Sequence, residues 1–151
     1  MSAKKYVLIK RNGPDRNGRN LTALASAMLL LDAKTWPLWD STRNRKVIAV
    51  GDQLAIYLAG SSEVIATAKV SKIEKWNAIF ANRYPLMLDG SPEAVLVLDE
   101  VTLLEHPVKV KDRLKGLSFI NHESQKWGVA FMGGSRAVSD DDFCILTTPA
   151  P

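Results

Sequence analysis

The sequence predicts a mainly β fold with peripheral helices, an α+β domain. Apolar, β-prone runs recur along the chain at residues 6–9, 53–59, 64–73 and 94–104. Turn signals separate them, notably Gly51-Asp52 and Gly60-Ser61-Ser62. Strong helical character is confined to residues 21–34, with shorter helical stretches near the C-terminus. At 151 residues the chain has the length of one ordinary domain, and 1–151 is read as a single unit. Its apolar fraction of 46% and charged fraction of 24% are those of a globular protein, which excludes disordered and fibrous classes.

Each element has a local reason. Tyr6-Val7-Leu8-Ile9, flanked by lysines, reads as a buried first strand. Residues 11–20 carry Asn12-Gly13-Pro14 and Asn17-Gly18 among four charges, which predicts an exposed basic loop without regular structure. Asn20 is placed to cap a helix over 21–34 whose apolar face holds Leu21, Leu24, Met28 and Leu31. The runs 53–59 and 64–73 predict a hairpin, the second strand half-exposed because lysines alternate with apolar residues. Residues 76–92, with two prolines and scattered aromatics, predict a long irregular connection. The run 94–104, interrupted by Asp99 and Glu100, reads as one bent strand or two short ones ended by His106-Pro107. Residues 109–115 suit a short helix before Gly116, and 127–132 read as a late strand before Gly133-Gly134. Ser139 is placed to cap a terminal helix opened by Asp140, Asp141 and Asp142, where the helix dipole favours carboxylates.

The formal charge of +4 is unevenly distributed. Residues 1–50 hold ten Lys and Arg against three acids, a surplus of seven, and the remainder carries −3. Such asymmetry fits a basic face that meets phosphates, and an ordinary solvated surface is the competing reading that charge alone favours. Cys144 is the only cysteine and lies in the apolar run Phe143-Cys144-Ile145-Leu146, where a buried, inert thiol is expected. A reducing, cytoplasmic setting follows, with neither a signal peptide's apolar region nor a membrane-spanning run.

Catalytic chemistry finds little to build on. His106 and His122 lie 16 residues apart with no zinc-like cysteine spacing, so no metal and no cofactor is expected. Nucleophile-elbow, phosphate-loop and dinucleotide-binding motifs do not occur. Asp99 and Glu100 are neighbours in a strand and point to opposite faces, so they cannot converge on one bond. The chain is therefore read as a non-enzyme. What remains is aromatics beside cations: Trp36, Trp39, Trp76 and Trp127 all have cationic or polar neighbours, as stacking of a splayed-out base requires. Core packing is the competing reading for each of them.

An ordered set of motifs then carries a family likeness. Trp36-Pro37-Leu38, Thr42-Arg43-Asn44-Arg45, the run from Val50 to Gly60 and Ala66-Thr67-Ala68-Lys69-Val70 are followed by Leu114-Lys115-Gly116-Leu117-Ser118-Phe119-Ile120-Asn121. Next come Lys126-Trp127-Gly128-Val129, Gly133-Gly134-Ser135-Arg136 and Ser139-Asp140-Asp141-Asp142-Phe143. In order and spacing this set resembles the EVE domain of the PUA-like superfamily over about residues 36–146. The resemblance implies a five- to six-stranded pseudo-barrel and a nucleic-acid-binding module. Its pocket would accept a flipped, modified base, with modified cytosine in DNA favoured. Carried over, the base-pocket positions are Trp36, Ser118, Phe119, Ile120, Lys126 and Trp127, and Arg43, Arg45, Lys46 and Arg136 are candidates for backbone phosphates. The chain departs from the family near its start, where Val7 follows Tyr6 in place of a frequent tryptophan and the basic loop precedes a long helix. Arg11, Arg16 and Arg19 of that loop are expected to add a phosphate grip. The alternatives are an RNA-binding module without modified-base specificity, or a small-molecule-binding or enzymatic variant of the barrel. A partner nuclease is left open, and no membrane is implied.

Overall fold

The computed structural model describes residues 3–15, 17–77, 84, 86 and 92–149. Strands β1 (Lys5–Lys10), β4 (Thr35–Leu38), β5 (Gln53–Leu58), β6 (Glu63–Lys75), β7 (Ala94–Lys109) and β8 (Ser135–Val138) form one six-stranded sheet in the order β4-β7-β6-β5-β1-β8. The pair β1·β5 is parallel and every other neighbouring pair is antiparallel. Register shifts interrupt β5·β6 once and β6·β7 three times, and such irregularities bend and twist a sheet, which here curls into a half-barrel. Glu100, at φ 49°, sits at one of these bends and donates its backbone N–H to the carboxylate of its neighbour Asp99 at 2.8 Å.

The sheet buries both faces. Side chains alternate along each strand, so Tyr6, Leu8, Leu54, Ile56 and Leu58 enter one core with Trp36, Leu38 and Leu96. Val7, Ile9, Ala55, Tyr57 and Val64 enter the other with Val108, Leu117 and Phe131. Helix α1 (Ala23–Asp32) closes the first core through Ala23, Ala27, Leu30 and Leu31. Helix α2 (Asp140–Thr147) closes the second through Phe143 and Leu146. These two cores decide which predicted site residues can meet.

Several elements differ from the sequence reading. The segment 11–20 is not without regular structure: β2 (Gly13–Pro14) pairs with β3 (Asn20–Leu21), with Arg16 outside the described residues. Thr22, not Asn20, caps α1 by accepting from the Ala25 N–H at 3.1 Å. The inward face of α1 is the one carrying Ala23 and Ala27, whose small side chains let the helix approach the sheet closely, and Leu24 is half exposed. Strand β4, around Trp36-Pro37, was not foreseen; its proline sits in a strand at the end of the sheet, where a missing N–H is tolerated. Strand β7 runs through His106-Pro107 to Lys109, because an irregularity between the Val64 and Ala66 pairings takes up the proline.

Residues 127–131 form a 3-10 helix instead of a strand. In a strand Trp127, Val129 and Phe131 would share one face; in the 3-10 helix Trp127 and Ala130 align on the core, and Val129 is exposed. The 3-10 helix Val110–Gly116 and the Ser139 cap of α2 agree with expectation, the Ser139 hydroxyl accepting from the Asp142 N–H at 3.1 Å. Strand β8, short and polar, was missed. Cys144 is exposed, since Phe143 and Leu146 take the inward face of α2. The irregular connection expected over 76–92 lies mostly outside the described residues.

Candidate functional site

The C-terminal third gathers an aromatic and cationic surface over the second core. Phe131 is its buried hub. Its ring stacks on Tyr57 of β5 at 4.3 Å between centroids and 11° between planes. Phe119 meets it edge-on at 5.7 Å and Trp127 at 6.3 Å, and both are only partly buried. Edge-to-face pairs at these separations are favourable geometry for aromatic quadrupoles. The guanidinium of Arg136, on β8, lies 4.4 Å from the centre of the Phe119 ring, a cation–π arrangement.

A buried carboxylate fixes this wall. Asp142, in the first turn of α2, accepts from the Ser118 N–H at 2.9 Å and from the Ser118 hydroxyl. That clamp sets the direction of the chain just before Phe119. Burial pushes the Asp142 carboxyl up, but the hydrogen bonds from Ser118 and Ser139 and the nearby Arg136 charge outweigh it and hold the group below its usual value. Arg136 also donates to the Ala130 carbonyl at 3.4 Å, while its Nε is buried without a partner. It therefore braces the 3-10 helix, Phe119 and Asp142 together.

The Gly133-Gly134 turn ties the basic segment to the same region. Both residues have positive φ, 89° and 81°, which glycine adopts without strain. The Gly133 carbonyl accepts from the Arg43 N–H and the Gly134 carbonyl from the Ile9 N–H, each at 2.9 Å. A Cβ on Gly133 would lie 2.7 Å from Arg43 Nε, so the arginine side chain is laid across the glycine. Buried Ser135 donates its hydroxyl to the Arg43 carbonyl and accepts from Asn44 Nδ2 at 3.3 Å.

The structure thus brings together Ser118, Phe119, Ile120 and Trp127, with Arg136 and the backbone of Arg43 beside them; Lys126 is exposed next to Trp127. It does not bring Trp36. That residue is 4% exposed in the first core, paired with Leu96 across β4 and β7, on the opposite face of the sheet from Trp127. The reason is strand parity: Trp36 and Leu38 point to the α1 side. Of the backbone candidates, Arg43 and Lys46 are exposed, and Arg45 is paired with Glu93 at 2.8 Å. Arg136 is committed to the wall. The sequence reading missed Phe131 and Tyr57, and it assigned Asp142 to capping alone. The third position after a capping serine is where a carboxylate can serve two partners, and that signal was present.

Neither Phe119 nor Trp127 lines the cleft along residues 111–116 or the one between Lys69, Glu100 and Thr147. Phe119 and Trp127 together form a partly exposed aromatic platform. Among the described residues no group of three or more His, Cys, Asp or Glu side chains gathers as a metal site requires, and no helix is long and apolar enough to cross a membrane.

No family model and no curated protein sequence matches the chain. Solved structures do. The crystal structure of ASCH from Zymomonas mobilis superposes with a TM-score of 0.60 at 14% identity, covering 95% of this chain and 93% of that one. The human THYN1 protein, in complex with 5-methylcytosine-containing DNA, gives 0.58 at 13% identity over 99% and 100% of the two chains. A hypothetical protein from Leishmania major gives 0.58 at 15% identity over 95% and 91%. The chain has a PUA-like fold. The likeness extends over nearly the whole of both chains in each of these comparisons.

Proposed function

We propose that this PUA-like protein is a nucleic-acid-binding module of the EVE type that holds an extruded base on the Phe119–Trp127 platform, and that it is not an enzyme. The observation carrying the reading is the convergence of two partly exposed aromatic rings and the Arg136 guanidinium on one supported surface. Stacking on such rings supplies about 1–3 kcal/mol per base, and backbone cations supply the rest through counterion release. Arg43, Lys46 and Lys126 are exposed for that second part. A modified cytosine in DNA is the favoured ligand, since THYN1, which shares the fold, was crystallised with 5-methylcytosine-containing DNA. The exposed free thiol of Cys144 accords with a reducing, cytoplasmic setting.

The test is a binding screen of oligonucleotides carrying different cytosine modifications against matched plain controls. One modified oligonucleotide is expected to bind at least several-fold more tightly, and Trp127→Ala to lose that preference while keeping the fold. Equal affinity for every member of the panel would remove the modified-base reading.

A further inference from the structure

We propose that the cleft next to the aromatic platform is a second site, one that takes a phosphate ester of the bound strand; the inference rests on the nucleic-acid reading above. The cleft has a volume of about 530 Å³, within the range of small-ligand sites. The 3-10 helix Val110–Gly116 forms one wall, and His122 and Ile145 the other. Three cationic side chains line it, Lys111, Arg113 and Lys115, against one carboxylate, Asp112. None of these cations takes part in the ion pairs found among the described residues. Unpaired charge in a concave site focuses the field and raises the local concentration of anions.

The cleft is also built. Arg113 donates one of its five N–H groups to the Ile145 carbonyl at 3.0 Å, which fixes the guanidinium against α2. Gly116 permits the close approach of the opposite wall, since a Cβ there would meet Ile145 Cδ1 at 3.3 Å. The result is an apolar floor of Leu114 and Ile145 under a cationic rim, which suits a sugar carrying a phosphate.

Chain continuity couples this cleft to the platform. Gly116 is followed by buried Leu117, by Ser118 in the grip of Asp142, and then by Phe119. Three residues span at most about 11 Å, so a strand with a base on Phe119 has a neighbouring phosphate within reach of the cleft.

The test uses the full chain with Lys111→Ala and Lys115→Ala combined, leaving Arg113 in place because it holds α2. Fluorescence anisotropy with a labelled oligonucleotide across a salt series reads the log–log slope. The slope is expected to fall by about 1–2, with the ratio of modified to plain affinity unchanged. Amide NMR of the unmodified protein provides a second arm, with cytidine 5′-monophosphate titrated against cytidine. Saturable shifts at residues 111–116 and 122 with the nucleotide alone, beside an unchanged slope, assign the site to a free phosphate ester. If no oligonucleotide binds but the nucleotide does, the cleft stands and the nucleic-acid reading falls. An unchanged slope together with no nucleotide-specific shifts overturns the proposal.

Discussion

Trp36 and Trp127 have similar sequence surroundings and opposite fates. Each is a tryptophan next to polar or charged residues, yet one is sealed under α1 and the other lies partly open over Phe131. Their substitutions separate accordingly. Trp36→Ala removes a buried ring and is expected to cost about 3–5 kcal/mol in denaturant unfolding, with oligonucleotide preference intact in the folded fraction. A stable Trp36→Ala protein that no longer discriminates would move the base site to the α1 face. Asp142 makes a pH-dependent claim. Its folded-state value lies below the ordinary carboxylate value, so the stabilisation is complete above that ordinary value and is lost as pH falls through the folded one, below about pH 4. Asp142→Asn is therefore expected to lower the melting temperature at pH 7 and to differ less from the unmodified protein at pH 3. An equal difference at both values would show that the charge is irrelevant. Residue type does not distinguish Asp142 from Asp140 and Asp141; its place three residues after the Ser139 cap and its reach to Ser118, 24 residues away, do so.

At the scale of elements, local signals placed four strands of the main sheet and both α-helices, and failed where the apolar pattern was absent or matched the wrong period. The strands around 6–9, 53–58 and 64–75 and the capped terminal helix follow from alternation, turn residues and a serine before acids. The 127–131 segment differs from the strand reading because Trp127, Val129 and Phe131 carry a strand's period of two, whereas the chain there turns with three residues per turn. Strand β8 was invisible because Ser135-Arg136-Ala137-Val138 carries no apolar alternation and gains strand character from pairing with β1. The Gly133-Gly134 turn that launches it offers a direct test. Gly133→Ala is expected to cost about 1–2 kcal/mol for the left-handed backbone, besides pushing aside the Arg43 side chain. Urea unfolding reads the loss. Weakened oligonucleotide binding is expected beside it, because Arg43 is positioned through that glycine; unaltered stability would contradict the strained geometry.

For the whole molecule, the uneven charge of the sequence meets a fold that spreads the basic N-terminal third around two faces. Arg43 and Asn44 are tied to the Gly133–Ser135 segment that leads into Arg136, while the hairpin β2–β3 contacts α1. Neutralising Arg11, Arg16 and Arg19 together is expected to lower the salt slope of oligonucleotide binding while leaving base preference unchanged. An unchanged slope would detach that hairpin from the interface. Composition and pattern by themselves determined the mainly β class, the position of four of the six strands of the main sheet and of both α-helices, and the presence of aromatics beside cations, because these follow from periodicity and chemistry within a few residues. Which aromatics share a surface was decided only in three dimensions. The parallel pairing of β1 with β5 and the face each strand presents depend on contacts between residues far apart in the chain, and a shift of one residue in register sends a side chain to the other core.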